Sequence, residues 1–124
     1  MNATYKQLVE AYFTGWISQN KQQILDTLSE DIYIEECYGP CYSGKKQITT
    51  WLENWFERGE VLSWNITEEW FDQTKDTYMC KWQFECLYKE EKGRFDGMSI
   101  ITFVNNQIKT IEEFQTTAKH EYPY

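Results

Sequence analysis

The sequence predicts an α+β fold in which three N-terminal helices pack on one face of a strongly curved, mostly antiparallel sheet. Three observations carry this. Apolar residues recur at helical spacing in the first half of the chain, and the period changes to two at Ile32. After Gly59 only alternating strands follow, separated by turn-prone pieces. The 124 residues and their 41% hydrophobic content suit one domain spanning 1–124 with one sizeable core.

The first helix is read over 4–18. Tyr5, Leu8, Val9, Tyr12, Phe13, Trp16 and Ile17 fall on one face. Thr4 and Gln7 fit a capping box, and Asn20 fits a helix stop. A short second helix buries Ile24, Leu25 and Leu28. From Ile32 to Cys37 alternate residues share a face, which is strand behaviour, and GPCYSG at 39–44 breaks the chain. The third helix begins near Lys45 with the stripe Ile48, Trp51, Leu52, Trp55 and Phe56, and Gly59 fits its C′ position. Four strands follow at about 61–73, 76–89, 95–105 and 107–117. In the second of these, Tyr78, Cys80, Trp82, Phe84, Cys86 and Tyr88 share one face. The piece KEEKGR at 89–94 reads as a solvated hairpin tip.

Six Trp, nine Tyr and seven Phe supply broad apolar surfaces with polar handles, suited to a core, a ligand cavity or a subunit interface. The net charge of −8 repels a phosphate backbone, and no basic patch offsets it, so nucleic acid is excluded as a partner. No apolar run approaches the ~20 residues that span a bilayer, and the first residues lack the pattern of a signal peptide. The expectation is a soluble cytoplasmic protein with no membrane partner, its four cysteines reduced and mostly buried. Cys37 and Cys41 have C-x3-C spacing, but no second pair or histidine lies at usable spacing, so neither a metal nor a cofactor is expected.

The order helix, helix, strand, helix and four strands, with SGKKQI at 43–48 opening the third helix and QIKTIEEF at 107–114 in the last strand, resembles the nuclear transport factor 2 superfamily. It is most similar to the SnoaL-like and ketosteroid-isomerase-like branch. That resemblance implies a cystatin-like cone, α-α-β-α-β-β-β-β, whose open end holds a small apolar ligand, and a homodimer formed through the sheet.

By the same resemblance Tyr12 falls where steroid isomerases keep a tyrosine donating to a developing oxyanion, and Glu36 where they keep the carboxylate base. Their third group, a neutral Asp, has no counterpart around Ser99, Ile100 and Ile101. Losing one donor from such a hole costs about 3 kcal/mol of transition-state stabilisation, so steroid isomerisation is not expected. Epoxide hydrolysis of the limonene type needs an Asp-Arg-Asp set, yet the arginines are Arg58 at a helix end and Arg94 in a hairpin. Scytalone-type dehydration needs pocket histidines, and His120 lies in the tail HEYPY.

SnoaL-like cyclases keep an acid/base carboxylate on a late strand, which points to Glu113, with Ile111 and Gln115 on the same side. The expected catalytic set is thus Glu36, Glu113 and Tyr12. The expected ligand walls are Trp16, Trp51, Trp55, Trp82, Phe84, Ile111 and Gln115. Enclosure by aromatic rings would raise a glutamate's pKa towards neutrality. Against this, strand glutamates usually face water, and one member each of Glu35-Glu36 and Glu112-Glu113 does so. Tyr12 also reads as a core tyrosine. The reaction class implied is general acid–base chemistry on a carbonyl-bearing ligand; the alternative is a non-catalytic binding or dimerising module. The aromatic tail suggests folding back over the cone mouth or onto a second subunit.

Overall fold

The first helical stripe folds as α1 (Ala3–Ile17) in the computed structural model, which describes residues 3–117 and 119–124. Val9, Tyr12, Phe13 and Trp16 are buried on its inner face, and Tyr5 stacks on Phe103 with centroids 3.9 Å apart. Thr4 lies inside the first turn rather than at the cap; the position ahead of Ala3 is outside the described residues. Asn20 helps to close this helix, its N–H bonding the Gly15 carbonyl at 2.9 Å, and it has a second role. It caps the next one, α2 (Lys21–Asp26), its side chain accepting from the Gln23 N–H. The left-handed residue after α1 is Gln19, with φ 54°.

Leu28 is not part of the second helix. Thr27 ends α2 by donating its hydroxyl to the Ile24 carbonyl at 2.7 Å, and Leu28 opens β1 (Leu28–Glu35). The predicted break at 39–44 contains a further strand, β2 (Cys41–Ser43), paired antiparallel with β1 through Tyr33–Ser43, Ile34–Tyr42 and Glu35–Cys41. The sheet therefore has six strands rather than five. Three residues between a proline and a glycine show too little alternation for a strand pattern to register.

The third helix, α3 (Gly44–Arg58), buries Ile48, Trp51 and Leu52. Its N-terminus is closed by Gln47, whose Oε1 accepts from the Ser43 N–H at 2.7 Å. Gly59 follows with φ −157°, an extended conformation, so glycine is needed there for space. A Cβ would lie 2.6 Å from the Leu87 carbonyl oxygen and 2.8 Å from the Tyr88 ring. Four long strands then run β3 (Gly59–Asp72), β4 (Thr77–Tyr88), β5 (Glu91–Val104) and β6 (Gln107–Thr117). The two-residue hairpins between β4 and β5 and between β5 and β6 place Lys89, Glu90, Asn105 and Asn106 at positive φ, as the right-handed twist of hairpin strands favours. Pairing reaches the first of these turns, so Glu91 to Arg94 are strand rather than loop.

The strand order is β2-β1-β6-β5-β4-β3, antiparallel except where β1 lies parallel to β6. The curved sheet wraps around the helices as a cone. One cross-strand row of Ile34, Ile111, Ile101 and Tyr78 is fully buried and forms its floor. Across the outer face Trp70 and Phe114 are 44% and 47% exposed. No helix among the described residues is long and apolar enough to cross a membrane.

Candidate functional site: an aromatic cavity holding two glutamates

The open end of the cone encloses a cavity of about 1080 Å³. Its walls follow from the two periods in the sequence. Trp51 and Trp55, four apart on α3, project from one helical face, while Trp82, Phe84 and Cys86 alternate along β4. Trp16 closes the box from α1, meeting Trp51 and Trp55 edge to face at 5.0 Å and 5.5 Å. Trp64 from β3 stacks on Phe13 at 4.1 Å and meets Trp82 edge-on. Interlocked rings of this kind preform a space instead of collapsing into it.

Glu36 and Glu113 both line this cavity. Glu36 follows β1, and its Oε1 accepts a 2.8 Å hydrogen bond from the Tyr42 hydroxyl. Tyr42 is in turn stacked on Trp51 at 4.5 Å. Burial raises the Glu36 pKa, opposed by the bonds from Tyr42 and the Trp51 indole. Glu113 sits opposite Ser99 in the β5–β6 ladder. Desolvation first, and then the charge of Glu36, push its pKa up to about 8, with the Cys37 backbone N–H partly opposing. Glu113 is half-buried and lines the cavity, so part of it remains open to solvent. Near neutral pH Glu113 therefore keeps its proton, and burial raises Glu36 in the same direction. The partners Glu35 and Glu112 do not line the cavity.

Five of the seven expected wall residues, Trp16, Trp51, Trp55, Trp82 and Phe84, line the cavity. Ile111 and Gln115 do not. Ile111 is fully buried in the floor row beneath the cavity. Gln115 is exposed, beyond the last β1–β6 pair, Glu35–Glu112, so sharing a face with Glu113 does not bring either residue to the cavity. Tyr12 is also behind the wall. It is fully buried, and its hydroxyl has no hydrogen-bond partner. The Trp16 indole lies beside it outside hydrogen-bonding geometry, and burial and the nearby Glu113 charge hold its pKa well above the usual range. The expected direct donation from Tyr12 to a ligand oxygen is thus not available in this arrangement.

Among the lining residues not expected from the sequence are Tyr42, Trp64, Cys37 and Tyr38. Trp64 alternates with Val61 across a β-bulge, which scrambles its parity. Tyr42 lies on the unpredicted β2, and Cys37 and Tyr38 form the turn beside it. Ser99 is fully buried and accepts from the Trp82 indole at 2.9 Å. Arg58 and Arg94 are exposed and away from the cavity. The cysteines are unpaired; Cys80 and Cys86 are buried, whereas Cys41 is exposed. Burial pushes the Cys37 thiol up to about 12, which makes it a poor nucleophile. Among the described residues no group of three or more His, Cys, Asp or Glu is placed to hold a metal ion. The tail from Lys119 to Tyr124 is exposed and does not cover the cavity; His120 lies 3.9 Å from Asp96.

The chain is thus an α+β cone with two carboxylates inside an aromatic mouth. The SnoaL-like domain family matches residues 9–111, and the chain belongs to that family. Among solved structures it is similar to a candidate isomerase from Bacillus subtilis, at 14% identity and TM-score 0.83, over 94% of this chain and 90% of that one. It is similar also to a candidate polyketide cyclase from Xanthomonas campestris, at 13% identity and TM-score 0.77, over 91% and 90%. A third is an epoxide hydrolase of the LEH-like type from M. tuberculosis, at 12% identity and TM-score 0.80, over 91% and 83%. At such identities the likeness is one of fold. No curated protein matches the sequence.

Proposed function

We propose that this protein binds a small carbonyl-bearing molecule in the cone and moves protons on it, Glu36 acting as base and Glu113 as acid. The observation that supports it is the pair itself: two carboxylates lining one cavity, both raised by burial, Glu113 to about 8. Glu36 takes a proton from carbon next to the carbonyl, and Glu113 gives its proton to the oxygen. The product is the enol; Glu36 returns its proton to another carbon of the conjugated system while Glu113 takes back the proton on oxygen, which restores the carbonyl and completes an isomerisation. Tyr12 acts one layer back, through its field at Glu113. The names of the similar cyclase and isomerase agree with this chemistry.

The test is exchange of α-hydrogens in a panel of aryl and cyclic ketones in deuterated water, followed by proton NMR. Exchange above the buffer rate, lost in Glu36→Gln and Glu113→Gln, is expected. A panel with no exchange beyond buffer, at concentrations where the ketones bind, leaves the non-catalytic binding module as the reading.

The same reading takes 1–124 as one domain, supported by the extent of the family match, and a cytoplasmic setting, supported by four unpaired cysteines. It includes a homodimer through the outer face of the sheet. Trp70 and Phe114 are exposed there, and the ladder sets Met79 and Ile100 in line with Trp70 and Met98 beside Phe114. An apolar outer face of this kind suits a self-complementary interface.

A further inference from the structure

We propose that the cavity takes a small organic cation, an alkylated ammonium group, seated between Glu36 and Glu113 against the surrounding indole rings. The inference rests on reading these two glutamates as the working groups of the cavity, and it concerns the state in which both are ionised, when the cation occupies the cavity in place of a neutral carbonyl substrate.

The first support is an uncompensated charge. Both carboxylates line one enclosed space, and among the described residues no lysine, arginine or histidine pairs with either. Two carboxylates sharing one aromatic-lined cavity repel each other when both are ionised, and a positive partner between them relieves that cost. The groups facing Glu113 are Tyr12 from α1, Glu36 from the end of β1, Cys37 and Tyr38 from the following turn, and Cys80 from β4. None is basic. Lys46 and Lys92 reach the cavity wall, but Lys46 is exposed on the first turn of α3, and Lys92 bridges to Glu85 at 3.1 Å.

The second support is the material of the wall. Trp16, Trp51, Trp55 and Trp82 surround the space, and indole faces attract a cation most strongly when water is excluded. Alkylation follows from the same wall. A primary ammonium has three N–H donors to satisfy, whereas the polar side chains of the α3 wall, Gln47, Thr50 and Asn54, lie at its exposed side. An alkylated nitrogen spreads its charge over methyl groups that pack on rings and needs few acceptors.

The probe pair is choline and 3,3-dimethylbutan-1-ol, which share a shape and differ in charge. Neither titrates near neutrality. Binding is read by tryptophan fluorescence and by calorimetry in two buffers of different ionisation enthalpy. Choline is expected to bind at least about tenfold tighter than the alcohol at pH ~8.5. Its affinity should rise by up to about tenfold per pH unit from pH ~6 to ~8 and then level, because the cation must first displace the Glu113 proton. Close to one proton per ligand is released at pH ~7. Glu113→Gln flattens the pH dependence and weakens binding. Equal or tighter binding of the alcohol overturns the inference, as does a choline affinity that is flat with pH and unchanged in Glu113→Gln, or no choline binding at millimolar concentration. Failure of ketone exchange with choline binding intact removes only the catalytic reading. Failure of choline binding with exchange intact removes only this one.

Discussion

Replacing Glu113 by Gln should stabilise the protein, and by an amount that grows with pH. Gln has the shape of the protonated acid and no charge to desolvate. The rise of the Glu113 pKa from 4.5 to about 8 means that the folded state binds this proton more tightly than the unfolded chain does. The wild type thus keeps its full stability below the unfolded pKa and loses it as pH rises through the folded one. At about 1.4 kcal/mol per unit, the penalty reaches about 3 kcal/mol near neutrality and about 5 kcal/mol well above pH 8. Water in the cavity lowers both figures, so they are upper bounds. Thermal unfolding by circular dichroism at pH ~5, ~7 and ~9 reads the difference. For a chain of this length about 3 kcal/mol corresponds to a gap near 10 °C. Curves for the two proteins should nearly coincide at pH ~5 and separate above it. A gap that is the same at all three pH values would refute the placement of Glu113 in a desolvated site.

Tyr42→Phe removes the 2.8 Å bond to Glu36, so the Glu36 pKa should rise further; a carbon-13 NMR titration of the carboxyl that moves down or stays put contradicts this. Gly97→Ala puts a methyl 2.3 Å from the Phe114 carbonyl oxygen and 2.4 Å from the Trp82 ring. It should cost about 2–4 kcal/mol in urea unfolding, and a loss under about 0.5 kcal/mol would show that the strand can yield. Trp70→Ser with Phe114→Ser should convert a sedimenting dimer to a monomer without loss of fold; a wild type that sediments as a monomer at micromolar concentration removes the sheet-face dimer.

The helices and the long strands were legible because burial imposes their periods: the stripe of Trp51, Leu52 and Trp55 and the alternation from Tyr78 to Tyr88 are wide enough to survive local noise. Glu36 and Glu113 were legible only through likeness to a known fold, since parity cannot say which of two adjacent glutamates turns inward. What was lost has specific causes. Leu28 reads equally well as a helical or a strand position, and the Thr27 hydroxyl decides between them. Gly59 does terminate the third helix, its N–H bonding the Trp55 carbonyl, but the need for glycine comes from the Leu87 carbonyl, a contact between residues distant in sequence. Ile111, Glu113 and Gln115 share a face, yet the floor, the cavity and the solvent each take one of them, because depth along the cone varies while parity does not.

The Tyr42 contact to Glu36 is carried by the shortest strand of the sheet, three residues at its edge with pairing on one side only. Hydrogen exchange should accordingly be faster at Cys41 to Ser43 than along β4 or β5, each flanked by two partners. Each transient opening of that edge withdraws the hydroxyl from Glu36 and leaves its carboxylate a stronger base for as long as the gap lasts. A molecule that wedged this edge apart would change the proton affinity of the site without entering it.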